Sequence, residues 1–139
     1  MGVSSCVVES QSIFIPCLVE LLTDCGLDVV SVASFVDLDM LASLNPSVIF
    51  IDLDFVEDAP LDCLQASRRI LPSAIIVAYT QQRESDWFAS CFAAGATLVL
   101  DKAAPEGELR EHLAAAVSMH AADAHRSERA SVRGSAASE

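Results

Sequence analysis

Ser47-Val48-Ile49-Phe50-Ile51-Asp52-Leu53-Asp54 is the stretch on which the fold of this 139-residue chain turns. Val48 to Ile51 is an unbroken apolar run of β-branched and aromatic residues, and it stops abruptly at Asp52 and Asp54. A strand wet on one face would alternate; a continuous short run reads as a strand buried on both faces. Asp52 then stands at that strand's carboxyl end. In open parallel α/β sheets this edge is where ligands and chemistry collect. The stretch alone is equally compatible with an acidic cap that merely ends a strand.

Four further segments repeat the pattern. Ser5 to Val8 reads as a strand closing on Glu9 and Ser10. Residues 11–25 read as a helix with Ile13, Cys17, Leu18, Leu21 and Leu22 at helical spacing, Pro16 in its first turns and Gly26 as its stop. Residues 27–33 form a second strand, and 36–44 a short helix stopped by Asn45-Pro46. After Asp54, acids and Pro60 open a helix with Leu61, Leu64, Ile70 and Leu71 as core contacts, ended by Pro72. Residues 74–79 read as a fourth strand closing on Thr80, 85–94 as a helix before Gly95, and 97–100 as a fifth strand closing on Asp101 and Lys102. Pro105 opens a last helix reaching about His120, with Leu109, Leu113 and Val117 on one face.

Strand and helix thus alternate five times over short connections. Right-handed crossovers then predict an α/β fold: a doubly wound, five-stranded parallel sheet in a three-layer α/β/α sandwich. Residues 1–120 form the expected domain. The tail, 121–139, is mostly Ala, Ser, Glu and Arg, a composition that suits a flexible linker or frayed end.

Hydrophobic residues make up 53% of the chain, yet no apolar run approaches the ~20 residues that span a bilayer. That richness fits a sheet covered on both faces. The start, Met-Gly-Val-Ser-Ser-Cys, lacks a basic segment followed by an apolar one, so the expected location is cytoplasmic, and Cys6 makes Gly2 a poor myristoylation match. The five cysteines, Cys6, Cys17, Cys25, Cys63 and Cys91, include no Cys-x-x-Cys pair and read as small buried apolar residues. Formal net charge is -12, and no Lys or Arg precedes Arg68. Such a surface repels phosphate backbones and anionic lipid, which argues against direct nucleic-acid or membrane binding by this segment.

If the sheet is parallel, Glu9 with Ser10, Asp52 with Asp54, Thr80, and Lys102 share one edge. Carboxylates, a hydroxyl and an ammonium meeting there suit phosphoryl transfer to a carboxylate, with Mg²⁺ as a hard cation that keeps several waters. On these residues the chain resembles the receiver domain of two-component response regulators, a flavodoxin-like (βα)5 fold, from about Val3 to Ala116. The ending Leu100-Asp-Lys-Ala-Ala-Pro-Glu-Gly-Glu-Leu is most similar to receivers of LuxR-type transcription factors.

The resemblance implies that Asp52 is the phosphoacceptor, fed by a sensor histidine kinase, and that the domain is a signalling module rather than an enzyme. It implies Glu9 as one of an acidic metal-binding pair, the Asp54 backbone carbonyl as a further metal ligand, Thr80 as the switch hydroxyl, and Lys102 as the phosphoryl-pairing lysine. It also implies a homodimer, with regulatory faces on helix four, strand five and helix five or on helices one and five. The tail, carrying Arg126, Arg129 and Arg133, would lead to a DNA-binding domain outside this sequence that controls transcription.

Three positions depart from the family pattern and make this an atypical receiver. Ser10 stands where the second acid is usual, which weakens Mg²⁺ binding unless Asp54 or Glu57 compensates. Val99 replaces a common aromatic, and Ala103 follows Lys102 where Pro is common. Two other readings remain open. One is a phosphorylation-independent pseudo-receiver that dimerises or binds a ligand. The other is a haloacid-dehalogenase-like phosphatase, suggested by Asp52-Leu-Asp54-Phe-Val56, although that signature normally lies on the first strand. Trp87 reads as packing, and His112, His120 and His125 as solvated.

Overall fold

The computed structural model describes the backbone of residues 3–54 and 58–137, and the side chains of 3–54, 58–123 and 126. Glu57 and Val56 therefore lie outside the described residues. The strands are β1 (Val3–Val8), β2 (Leu27–Ala33), β3 (Val48–Asp52), β4 (Ile75–Thr80) and β5 (Leu98–Asp101). The helices are α1 (Ile15–Asp24), α2 (Leu38–Leu44), α3 (Pro60–Ile70), α4 (Ser85–Ala93) and α5 (Glu106–Ala137). All four ladders are parallel, and the strand order is β2-β1-β3-β4-β5. The expected doubly wound sheet is the one found.

β3 lies at the centre, and every one of its five residues is buried. Its pleat serves two cores. Ile49 and Ile51 meet Leu41, Leu64 and Cys91 from α2, α3 and α4, while Val48 and Phe50 meet Leu18, Leu22, Leu109 and Leu113 from α1 and α5. Full burial of each such side chain contributes roughly 1.5–3 kcal/mol, so these two cores dominate the stability of the fold.

Local chemistry explains the element ends. α2 begins two residues later than the pattern predicts because Asp37 caps it, accepting from Met40 N at 3.1 Å, which leaves Val36 outside. Asn45 closes α2 in the left-handed region at φ 44, a conformation Asn tolerates. The pattern starts α1 early; Ser12–Phe14 instead form a 3-10 turn, and Pro16 sits near the start of the α-helix. Ile13, expected in the core, is 78% exposed there, and Cys17 is exposed too, because the periodic face begins only at Leu18. The reading of all five cysteines as buried thus holds for Cys6 and Cys91 but not for Cys17.

α5 does not stop near His120. It runs to Ala137, since Ala, Glu and Arg are good helix formers and no proline interrupts them.

Candidate functional site

Parallel register aligns the strand ends. Val8 pairs with Ile51, Asp52 with Tyr79, and Thr80 with Asp101, so Glu9, Asp52, Thr80 and Lys102 fall at one edge. Asp52 is fully buried. Lys102, in the turn after β5, places Nζ 2.8 Å from both Asp52 carboxylate oxygens and 2.9 Å from Asp54 Oδ2. Nζ also lies 5.3 Å from the centroid of the Tyr79 ring. Burial opposes the Lys102 charge, but hydrogen bonds to Asp52 and Asp54 outweigh it and hold the ammonium pKa above its ordinary value.

Glu9 follows β1 and is 1% exposed. Its Oε1 accepts from Gln11 N at 3.0 Å, whereas no donor among the described residues reaches Oε2. Burial, first, and then the neighbouring Asp52 carboxyl group push its own carboxyl up to about 7. Two bare carboxylates in a dry site repel, which favours the protonated form of Glu9.

The raised Glu9 pKa has a measurable consequence. The folded state keeps a proton that the unfolded chain, with an ordinary glutamate, releases above about pH 4.5. The stabilisation is therefore full below that pH and is lost as pH rises through about 7. In chelator-treated buffer the urea midpoint is expected to fall between pH 5 and pH 8, by less in Glu9→Gln, whose amide supplies a permanent donor. Identical pH profiles for the two proteins would exclude a raised Glu9 pKa as the source of the dependence.

On the other side of Asp52, Thr80 Oγ1 donates to Asp54 Oδ1 at 2.9 Å and the Gln81 amide donates to Asp54 Oδ2 at 2.8 Å. Thr80 Oγ1 accepts in turn from Gln82 N and from Trp87 Nε1, each at 3.2 Å. Asp54 N donates to Asp52 Oδ1 at 2.9 Å, which ties the turn after β3 to the strand end.

The structure thus brings Glu9, Asp52, Asp54, Thr80 and Lys102 together. Ser10 is exposed. Asp54 enters the site through its side chain, as one of the carboxylates expected at this edge, whereas the resemblance implies a role for its backbone carbonyl. Gln81 was missed because a backbone amide leaves no mark on composition. Trp87 does pack against the α2–α4 core as expected, and its indole N–H adds the bond to Thr80. Val99 is half-buried against the same core. After Lys102 the turn is closed by Asp101, whose Oδ1 accepts from Ala103 N at 2.8 Å, and no peptide bond among the described residues is cis.

Among the described residues, no three His, Cys, Asp or Glu cluster in a way that would hold a metal ion. Glu9 and Asp52 offer two carboxylates, and the orphaned Glu9 Oε2 beside Asp52 suits a hard cation that retains several waters. The donor set fits Mg²⁺, with less charge than a full acidic pair would give.

No known family model matches this chain. No curated protein matches it in sequence. Solved structures do match. A LuxR-family two-component response regulator from Aurantimonas sp. SI85-9A1 superposes with a TM-score of 0.72 at 20% identity, over 85% of this chain and 86% of that one. A CheY-like receiver domain protein from Methanospirillum hungatei JF-1 gives 0.72 at 13% identity, over 88% and 99%. A pilus assembly-related protein from Burkholderia pseudomallei K96243 gives 0.67 at 19% identity, over 81% and 90%. With α1 and α5 on one face of the sheet and α2, α3 and α4 on the other, the chain has the fold of a response-regulator receiver domain.

Proposed function

We propose that this chain is a phosphoryl-accepting signalling module in which Asp52 is the acceptor and a sensor histidine kinase the donor. The observation that carries the reading is the Lys102 ammonium 2.8 Å from both oxygens of a fully buried Asp52, with the Thr80 hydroxyl at the same edge. One Asp52 oxygen attacks phosphorus, the P–N bond of the donor phosphohistidine breaks, and its electron pair leaves on the imidazole nitrogen. Lys102, Thr80 Oγ1 and the Gln81 amide are the groups of this chain placed to bind the transferred oxygens. Glu9 and Asp52 would hold Mg²⁺, which would supply neutralisation of the charge on the phosphoryl group.

Neutral Ser10 in place of a second acid predicts weak metal binding. Mass spectrometry after incubation with acetyl phosphate and Mg²⁺ tests this. Ser10→Asp is expected to gain phosphate more readily than the wild-type chain, and Asp52→Asn to gain none. Modification of Asp52→Asn to the wild-type extent would move the acceptor elsewhere.

A second reading is favoured by the closed state of the pocket, in which Asp52 is fully buried and Asp54 already engages Thr80, Gln81 and Lys102. It is a module of the same fold that signals through partner contacts without phosphate. On either reading the partner we propose beyond the kinase is a second copy of the chain, with α5 past His120 as the connection toward an output domain controlling transcription.

A further inference from the structure

Three donors of different chemistry converge on one carboxylate. The Thr80 hydroxyl, the Gln81 backbone amide and the Lys102 ammonium stand 2.9, 2.8 and 2.9 Å from the oxygens of Asp54, whose side chain is only 4% exposed. A hydroxyl, an N–H and an ammonium aimed at one point form a preorganised oxyanion pocket. Here the anion belongs to the chain.

We propose that Asp54 is an internal anion for this pocket, occupying the places that the oxygens of a phosphoryl group on Asp52 would take and holding the pocket in its anion-filled arrangement without phosphate. This deepens the phosphoryl-acceptor reading and rests on its assignment of Thr80, Gln81 and Lys102 as oxyanion donors.

A hydroxyl has one proton to give and two lone pairs. Thr80 gives its proton to Asp54 and accepts from Gln82 N and Trp87 Nε1. It can donate to a second anion only by releasing Asp54. An incoming anion also meets Asp52 and Asp54 together, with the single Lys102 ammonium shared between them. The pocket is therefore closed to small anions while Asp54 stays in place. Trp87 lies on α4, so the occupant of the pocket is coupled to that helix through the Thr80 oxygen.

The test follows the Trp87 indole N–H and the Gln81 amide by NMR in the full chain, for wild type, Asp54→Ala and Asp54→Asn, during titration with orthophosphate and separately with formate at constant ionic strength. Both resonances are expected to move in Asp54→Ala and to return toward their wild-type positions as anion is added. Orthophosphate is expected to bind Asp54→Ala at least tenfold more tightly than wild type. Asp54→Asn, which keeps the side-chain shape and loses the charge, is expected to fall between them, and it carries the test if the alanine variant does not fold.

Equal orthophosphate affinity in wild type and in the folded variants would overturn the proposal. So would resonances that stay at wild-type positions, or that move and are not restored by either anion. Transfer and occupancy are read separately. If Asp52 accepts no phosphoryl group in any variant while Asp54→Ala binds orthophosphate, the acceptor reading falls and the internal anion stands. If Asp52 is phosphorylated and no Asp54 variant gains anion binding, the reverse holds.

Discussion

Replacing Lys102 with methionine is expected to lower the unfolding free energy by about 3–5 kcal/mol at neutral pH, the range for removing one partner of a buried ion pair. The methionine keeps most of the side chain's volume, so the loss reports the charge. Lys102 is 18% exposed in its side chain, while Asp52 and Asp54 are 0% and 4% exposed. Removing the ammonium leaves two carboxylates in a dry site with Glu9 close by. Water cannot easily replace the lost partner there.

The upward displacement of the Lys102 pKa has the same origin, since the hydrogen bonds to Asp52 and Asp54 outweigh the burial that opposes the charge. A double-mutant cycle isolates the cause. Asp52→Asn removes one of the stranded charges, so combining it with Lys102→Met should recover part of the loss, with a coupling of roughly 0.5–3 kcal/mol. Urea denaturation of the four proteins measures it. A cost below ~1 kcal/mol, or strictly additive losses, would mean that the pocket relaxes and that the ion pair is not what holds this edge together.

The second large effect lies far from the site. Arg68→Ala is expected to cost about 3 kcal/mol, because charge-assisted hydrogen bonds are worth more than neutral ones and their carbonyl partners would be left poorly satisfied. The Arg68 guanidinium donates to the Gly95 carbonyl from Nε at 3.0 Å and from Nη2 at 2.8 Å. It reaches Thr97 Oγ1 at 2.9 Å and the carbonyls of Leu71, Pro72 and Ala74 at 3.1, 3.3 and 2.7 Å. One side chain on α3 thereby joins the start of β4 to the turn before β5.

Gly95 is part of this knot. Its φ is +118, and a Cβ placed on it would lie 2.8 Å from Arg68 Cβ, so only glycine allows the close approach. Arg68→Lys is expected to recover less than half of the loss, since an ammonium cannot reproduce the planar fork that serves several carbonyls at once. Thermal or urea unfolding of the alanine and lysine variants checks both statements. Near-complete recovery by lysine would reduce the role of Arg68 to its charge alone.

Much of the fold was legible because it depends on periodicity and on chain breakers. The β-branched run over 27–33 is β2, the apolar run after Ser47 is β3, and proline stands before β4 much as the pattern requires. The polar strand ends were legible for the same reason, since a parallel sheet brings them to one edge whatever their chemistry. The misplacements have local causes. Ile13 has helical spacing but precedes the first α-helical residue, and the sequence past His120 is rich in helix formers.

The sequence by itself determined the order of elements, the burial of β3 and the residue types available where its neighbours end, because these follow from hydrophobic pattern and backbone preference along the chain. Only the tertiary structure decided which of those groups touch. Asp54 points at Thr80, Gln81 and Lys102, Glu9 is buried beside Asp52, and Arg68 ties together three segments. Those contacts join residues from separate strands and loops. Side-chain direction there is set by turn geometry and by competition among donors in a dry pocket, and neither is written in the spacing of residues.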